Sequence, residues 1–314
     1  MRLYSFDGDI KQINIGDVDF SANLFYWFDF GPEELEDINN QLFQFDYDCI
    51  MECKSMSQLA KVDFFDEYIF LVLNSLKYEN GVVDPDEFNI FLSRKYIVTV
   101  SKKEVKILEE LRNELFNYKN NIFFSKEKSP AKLLYYIIDK LVLNDYGIIN
   151  ILENVADSLE ILIMKKPDKQ FLHGLLHLRH QVHTLRRCIA PLRYIGDNLL
   201  GNENGVMTKE QLKYFIQLNL KIEKLIFSLE SLIQYIAMVR EAFETEMANK
   251  TNELMKLFTI VSMFFSPLSL ITGIYGMNFR IPESNWKYGY LYVILLMLTI
   301  SFILFKYFKK KNWL

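Results

Sequence analysis

Residues 257–277 read LFTIVSMFFSPLSLITGIYGM and contain no charged side chain. At about 1.5 Å per residue, a helix of this length covers the ~30 Å hydrocarbon core of a bilayer. A core helix of a soluble protein normally carries a polar stripe with charged residues, and this stretch has none. The stretch therefore predicts a membrane span and sets the class of the whole chain.

A second uncharged run covers residues 288–305 and is rich in Leu, Ile, Val and Tyr. Its roughly 18 residues lie at the lower limit for a spanning helix. The positive-inside rule places the basic cluster that follows in the cytosol. With two spans, both termini are expected in the cytosol of a multi-pass protein of the cell (inner) membrane, and residues 278–287 form the outer loop. The cluster consists of Lys306, Lys309, Lys310 and Lys311.

Composition excludes several other classes of protein. The chain has 314 residues, of which 50% are hydrophobic and 15% aromatic, so it can bury a core and is neither disordered nor fibrous. Its net charge of -4 and dispersed Lys and Arg residues argue against a nucleic-acid partner. The start of the chain lacks the apolar core of a signal peptide. Cys49, Cys53 and Cys188 form no Cys-x-x-Cys pair, which argues against a disulfide framework or thiolate zinc site.

The part before the spans divides into two regions. Residues 1–145 are predicted to form an α/β domain, with aromatic and β-branched strands and one helix that Pro32 opens and that ends near residue 44. Residues 146–256 are predicted to be helical, with an antiparallel pair at 150–164 and 168–200. The third region, 257–314, holds the spans. The predicted strands cover residues 25–29, 68–76, 87–92 and 96–100.

A long stalk helix is predicted to lead into the first span. Thr208 and Gln211 have the spacing of a capping box, which marks a helix start. Residues 208–266 then contain neither Gly nor Pro, enough for a rod of about 90 Å. Such a helix needs partners along its length, so a bundle of identical rods is expected. The predicted fold class is therefore an α+β cytosolic domain with helical layers, a long stalk helix and two transmembrane helices.

Polar and small residues recur on one side of the first span at spacings of three and four, which is a heptad seam. In lipid, such a face belongs against other helices or against water, so the seam indicates either helix packing or pore lining. Glu241 continues the register below it and indicates either an inner acidic ring or a solvated stalk residue. The seam residues are Asn252, Met255, Thr259, Ser262, Ser266, Ser269, Gly273 and Gly276.

The end of the first span carries a distinctive motif. Tyr275-Gly-Met-Asn-Phe279 is followed by Ile281-Pro-Glu283, and the chain closes with a lysine tail and Trp313. In this two-span setting the chain resembles the CorA family of magnesium and cobalt transport proteins. Segments 25–29, 96–100 and 185–193 are also similar to blocks of that family.

The resemblance implies a divalent-cation channel for magnesium uptake, built as a funnel-shaped homopentamer with a cytosolic gating domain. It implies Gly276, Met277 and Asn278 at the outer mouth, and Asn252 near the inner end of the pore. Because Mg²⁺ sheds water reluctantly, amide and carbonyl oxygens of this kind would hold the hydrated ion. Met255 and Phe258 are expected to form the gate. No cofactor is expected, and Mg²⁺ is the transported ion and a candidate regulator.

All four histidines, His173, His177, His180 and His183, lie within one predicted helix. Their spacings of four, three and three place them on one broad face. Two histidines one turn apart can chelate zinc, cobalt or nickel, so His173, His177 and His180 are candidate metal ligands. The other interpretation is a polar face of the antiparallel helical pair.

Three alternative functions remain open at this point. A zinc or cobalt/nickel transporter of the same family would suit the histidines, whereas Ile281-Pro-Glu283 favours magnesium by its likeness to the Met-Pro-Glu of the magnesium branch. A membrane-anchored metal-dependent hydrolase would use the histidines as its centre, although no hydrolase motif is present. A structural anchor that binds a protein partner would leave the polar seam unexplained.

Overall fold

The computed structural model describes residues 2–7, 9–22, 24–117, 128–278, 286–311 and 313. The predicted Ile281-Pro-Glu283 loop lies outside these residues. Contacts divide the chain into one unit of Met1–Leu159 with Gln170–Val239 and another of Glu160–Lys169 with Arg240–Leu314. Helices α4 (Pro130–Lys165) and α7 (Lys209–Tyr275) contribute residues to both.

The first unit is built on a seven-stranded sheet with the order β2-β1-β3-β7-β6-β5-β4. Neighbouring strands pair antiparallel except for β3 and β7, which are parallel and lie side by side. The strands are β1 (Arg2–Asp7), β2 (Asp9–Gln12), β3 (Phe25–Phe30), β4 (Lys61–Phe64), β5 (Tyr68–Glu79), β6 (Val82–Ser93) and β7 (Tyr96–Ser101).

Both faces of this sheet are buried, which explains the aromatic and aliphatic runs of its strands. In β3, Trp27 contributes to one hydrophobic core, whereas Tyr26 and Phe28 contribute to the other. Helices α1 (Pro32–Leu42) and α2 (Tyr47–Ser55) cover the face of Phe28. The larger core on the other face includes α3 (Lys106–Asn117), α4, α5 (Gln170–Ile189), α6 (Pro191–Gly201) and α7 up to Ile236.

The predicted single helix between the first strands was wrong, because α2 follows α1. Asp46 caps α2 by accepting a hydrogen bond from the Asp48 amide at 2.9 Å, and Met56 ends it with φ 45°. Its buried residues Cys49, Ile50 and Cys53 have helical spacing. This pattern extends over only nine residues, too few to stand out against the surrounding aromatic residues.

The predicted helical pair is present but has different limits. Its first arm, α4, starts at Pro130 and continues to Lys165. The second arm is divided between α5 and α6 at Pro191, because proline has no amide with which to continue the ladder. The capping box of α7 is confirmed: the Thr208 amide donates to Gln211 Oε1 at 3.0 Å, and the Gln211 amide to Thr208 Oγ1 at 3.4 Å.

Two helices of the described residues, α7 and α8 (Gly289–Lys310), are long and apolar enough to cross a membrane. Their most apolar windows have mean hydropathies of 1.9 and 2.2, and 0% and 6% of those windows are buried within the protomer. A core helix of a soluble protein would be covered instead. Helix α7 ends at Tyr275, and α8 continues beyond the predicted limit of residue 305 into the lysine cluster.

Aromatic packing joins the two helices of the second unit near the chain end. The rings of Phe264 in α7 and Phe308 in α8 lie 5.9 Å apart between centroids, and Phe308 is 1% exposed. Beyond α8, Trp313 stacks on Phe308 at 5.9 Å, and its amide donates to the Phe308 carbonyl at 3.1 Å. Trp313 is therefore folded back onto this contact.

Candidate functional site

The heptad seam of α7 lies on an open face of the protomer. Asn252, Met255, the three seam serines, Gly273 and Gly276 are exposed, and Thr259 is half-buried. The half-buried apolar residues Phe264, Leu268 and Ile271 lie on other sides of the same helix. The most apolar window of α7 is itself 0% buried within the protomer, so what distinguishes the seam is its polar and small side chains. In a membrane, such a face belongs against water or against further helices.

Hydroxyl groups on this face differ in their hydrogen bonding. Thr259 donates to the Met255 carbonyl at 2.8 Å, which satisfies its hydroxyl within the helix. Within the described part of the chain, the hydroxyls of Ser262, Ser266 and Ser269 have no such partner. Exposed hydroxyls without an internal bond can exchange hydrogen bonds with water or with hydrated ions.

Helix α7 ends in a tight turn at the predicted outer mouth. The Gly276 amide donates to the Thr272 carbonyl at 2.8 Å, and the Met277 amide to the Ile274 carbonyl at 3.3 Å. A Cβ at position 276 would lie 3.0 Å from the Thr272 oxygen, so the turn favours glycine. Met277 and Asn278 are exposed just beyond the carboxyl end of the helix, where backbone carbonyls concentrate partial negative charge.

At the other end of the seam, a groove of about 630 Å³ contains Asn252, Met255 and Thr259 together with Trp313 from the chain end. Trp313 belongs to the closing motif of the chain, but its place in this groove is not predicted by the sequence. Its position follows from the stacking on Phe308, a contact that spacing along the sequence does not reveal.

The residues assigned to the gate and to the inner ring are open in the protomer. Met255 is 60% exposed and Phe258 is 64% exposed, so exposure in the protomer does not tell which of the two side chains forms the narrower ring. Glu241 is exposed and makes no ion pair with another described residue, whereas the nearby Glu244 binds Arg240 at 2.9 Å. Glu241 is thus a carboxylate without a neutralising partner in the described protomer.

The histidine run has a structural contact at its centre. His177 Nε2 lies 2.9 Å from the carbonyl oxygen of Gly81 in the β5–β6 turn, and Gln181 accepts a hydrogen bond from the Val83 amide at 2.6 Å. His173 is exposed. Among the described residues, no group of three or more His, Cys, Asp or Glu side chains is arranged to hold a metal ion. His177 and Gln181 instead tie this turn to α5.

A family model described as CorA-like Mg²⁺ transporter protein matches residues 22–310. The chain belongs to the CorA family. The cobalt/magnesium transport protein CorA of Thermotoga maritima is 31% identical over 266 residues, which cover 83% of this chain and 74% of that protein. The putative metal ion transporter YfjQ of Bacillus subtilis is 30% identical over 307 residues, covering 97% and 94%.

The fold agrees with this CorA assignment. The complete structure of the CorA magnesium transporter from Methanocaldococcus jannaschii superposes with a TM-score of 0.86 at 20% identity, covering 100% of this chain and 99% of that one. The predicted fold class, with its α/β domain, long helix and second helix, is confirmed. As a member of this family, the chain is a membrane transporter of divalent cations and not an enzyme. The hydrolase and structural-anchor alternatives are therefore removed.

Proposed function

We propose that this CorA protein takes up magnesium through a water-filled path that copies of α7 enclose in a homopentamer. The observation that carries the proposal is the seam: its small and polar residues lie on an open face of the protomer and end at Gly276-Met277-Asn278. Names of the relatives support the cargo, since they include cobalt/magnesium and magnesium transport proteins. Both termini are proposed to lie in the cytosol, with the protein in the cell (inner) membrane.

The outer filter of this proposal is formed by Gly276, Met277 and Asn278. Magnesium dehydrates reluctantly, so a first filter should bind the ion through its hydration shell. The carboxyl end of α7 supports this role, because its carbonyls and the exposed Asn278 amide offer neutral oxygens beside the negative end of the helix dipole. Further along the seam, Asn252 is proposed to contact the hydrated ion again.

The inner half of the path carries the gate. Met255 lies on the seam and is proposed to form the narrower apolar ring, with Phe258 partly turned toward the neighbouring copy. A dry apolar constriction stops a hydrated divalent ion. Glu241 is proposed to form a ring of carboxylates at the inner mouth, which its lack of an ion-pair partner in the described protomer supports.

The test is cation uptake into proteoliposomes by the wild type and by Asn278→Ala. We expect the variant to lose magnesium uptake while its oligomer stays intact. Asn278 is exposed, so its truncation removes no buried packing contact. Size-exclusion chromatography with light scattering measures the oligomer. Thr272→Ser, one turn inside the helix end, is a control that keeps its hydroxyl. Normal uptake by assembled Asn278→Ala would remove the filter from the proposal.

The same assay compares magnesium, cobalt, nickel and zinc. Cobalt is the second candidate cargo, because the Thermotoga maritima relative is named for both cobalt and magnesium. Preference for zinc or nickel over magnesium would contradict the proposed cargo while leaving the CorA assignment intact.

A further inference from the structure

A cleft of about 280 Å³ lies at the carboxyl ends of β3 and β7, the parallel pair of the sheet. The chain leaves β3 through Gly31 and enters α1 on one face. It leaves β7 through residues 102–105 and enters α3 on the other face. Adjacent parallel strands whose following helices lie on opposite faces form a topological switch point, where α/β sheets bind their ligands.

Positive side chains dominate the lining of this switch-point cleft. Four cationic groups and two carboxylates line it, although the chain as a whole carries a net charge of -4. One of the cations, Lys103, also lies 3.8 Å from Asp86, which is not part of the lining, so three cations against two carboxylates remain for the cleft. A concave site with an excess of one charge concentrates ions of the opposite sign. The cations are Arg2, Lys102, Lys103 and Arg112, and the carboxylates are Asp29 and Glu104.

The two arginines converge on one exposed carboxylate. Glu104 Oε1 accepts from Arg2 Nη1 at 2.9 Å and from Arg112 Nη2 at 3.1 Å. The Arg112 side chain is only 7% exposed and is also held by Asp29, whereas the Glu104 side chain is 52% exposed. Arg112 is therefore fixed in place. Glu104 is half-exposed, so its side chain can turn into solvent when another anion takes its place beside the two guanidinium groups.

The amino end of α1 does not add to this preference for anions. The Gly31 amide already donates to Glu34 Oε2 at 2.8 Å, Pro32 has no amide hydrogen, and Glu33 and Glu34 both lie in the first turn. The attraction for an anion therefore depends on the arginine side chains, whose planar forks match the geometry of phosphate oxygens.

We propose that the switch-point cleft binds a phosphate group, either free or on a nucleotide, which displaces Glu104 and contacts Arg2, Arg112 and Lys102. The site lies in the α/β unit and is independent of the cation path proposed above. A purely structural ion-pair network would join β1 and α3 in the same way but would bind no added anion. The two interpretations differ in what removal of Glu104 should do.

The experiment uses the full chain in detergent micelles, with EDTA present so that phosphate cannot act by sequestering a cation. Isothermal titration calorimetry measures the affinity for inorganic phosphate, AMP and ATP. Lys102→Gln should weaken binding about tenfold, since it removes one charge-assisted contact. Lys106→Gln should leave the affinity unchanged, because Lys106 pairs with Glu110 on α3 and does not line the cleft.

The decisive variant is Glu104→Gln, which removes the competing carboxylate. It should bind phosphate about tenfold more tightly than the wild type, and phosphate should raise its melting temperature more. Affinity for AMP or ATP well above that for phosphate would identify a nucleotide as the source, and equal affinities would identify free phosphate. Absence of binding by all three probes at millimolar concentration, or weaker binding by Glu104→Gln, would overturn the proposal.

Discussion

Helices α6 and α7 approach each other closely at Gly196, which makes Gly196→Ala a sensitive test of how α7 packs against α6. A Cβ at this position would lie 2.3 Å from Asn219 Oδ1, 3.2 Å from Asn219 Cγ and 3.3 Å from Ile222 Cδ1. Real Cβ contacts are not as short as the first of these, so the helices or the amide must move. Asn219 is not free to turn away without cost, because it donates to Asp197 at 3.0 Å.

The magnitude follows from two opposing effects. Replacing a glycine by alanine inside a helix stabilises it by about 0.5–1 kcal/mol. Overpacking at a close contact costs about 1–3 kcal/mol. We therefore expect Gly196→Ala to lower the free energy of unfolding by up to about 2.5 kcal/mol, and in any case to be less stable than a glycine-to-alanine change without a clash. Gly147 in α4 is the matched control, since a Cβ there would meet no described atom within 4 Å, and Gly147→Ala should stabilise by about 0.5–1 kcal/mol.

Thermal and denaturant unfolding of the full chain in detergent, followed by circular dichroism, measures both variants. Adding Asn219→Ala to Gly196→Ala should recover part of the loss, because a double-mutant cycle isolates the contact between the two side chains. Gly196→Ala that is as stable as Gly147→Ala would refute the α6–α7 packing described above. An equal loss in the presence and absence of the Asn219→Ala substitution would show that the clash involves other atoms.

Three further predictions concern the path and the core. Glu241→Gln should lower conductance several-fold at about 10 mM salt but little at about 1 M, because the Debye length is about 30 Å at the lower concentration and about 3 Å at the higher one. An equal effect at both concentrations would mean that Glu241 is a solvated stalk residue and not part of an inner ring. Met255→Ser should raise basal flux in high magnesium, whereas Leu254→Ser, off the seam and 53% exposed, should not; leakage by Phe258→Ser alone would mean that the helix is rotated by about 60° from the register in which Met255 faces the path. Burial raises the pKa of Asp145 well above its ordinary 3.8, so stability should fall as pH rises from 3.8 up to the folded-state pKa, and Asp145→Asn should remove that slope in unfolding measured at several pH values.

The sequence predicted those parts of the fold whose signal is local and long. The 67-residue helix α7 followed from its capping box and from the lack of Gly and Pro over most of its length. Helix α2 was missed because its nine residues carry only about two turns of pattern. The break at Pro191 was missed because the apolar periodicity continues past it from α5 into α6, while the missing amide acts at a single residue.

Contacts between distant segments could not be predicted from spacing. Arg112 and Asp29 are 83 positions apart and Arg2 and Glu104 are 102 apart, so the switch-point cleft exists only once β1, β3 and α3 are assembled. For the histidine run, spacing along the sequence predicted a site that the contacts of the described residues do not form. Its spacing suggested a metal site, yet His177 contacts a backbone carbonyl of a turn that lies 96 positions away.

The seam on α7 predicts either helix packing or pore lining, and the serine hydroxyls that have no partner in the described protomer favour pore lining. A tight dimer would use Gly273 and Gly276 for close approach but would seal the unbonded serine hydroxyls away from water. A lone protomer would expose the same hydroxyls to lipid, where each could only donate to a carbonyl of its own helix, as Thr259 does. A ring of copies around a hydrated path meets both demands, because water supplies the partners that the described protein does not. In the arrangement proposed above, Asn252 and Asn278 would lie at either end of one aqueous path, where their amides would meet a hydrated cation.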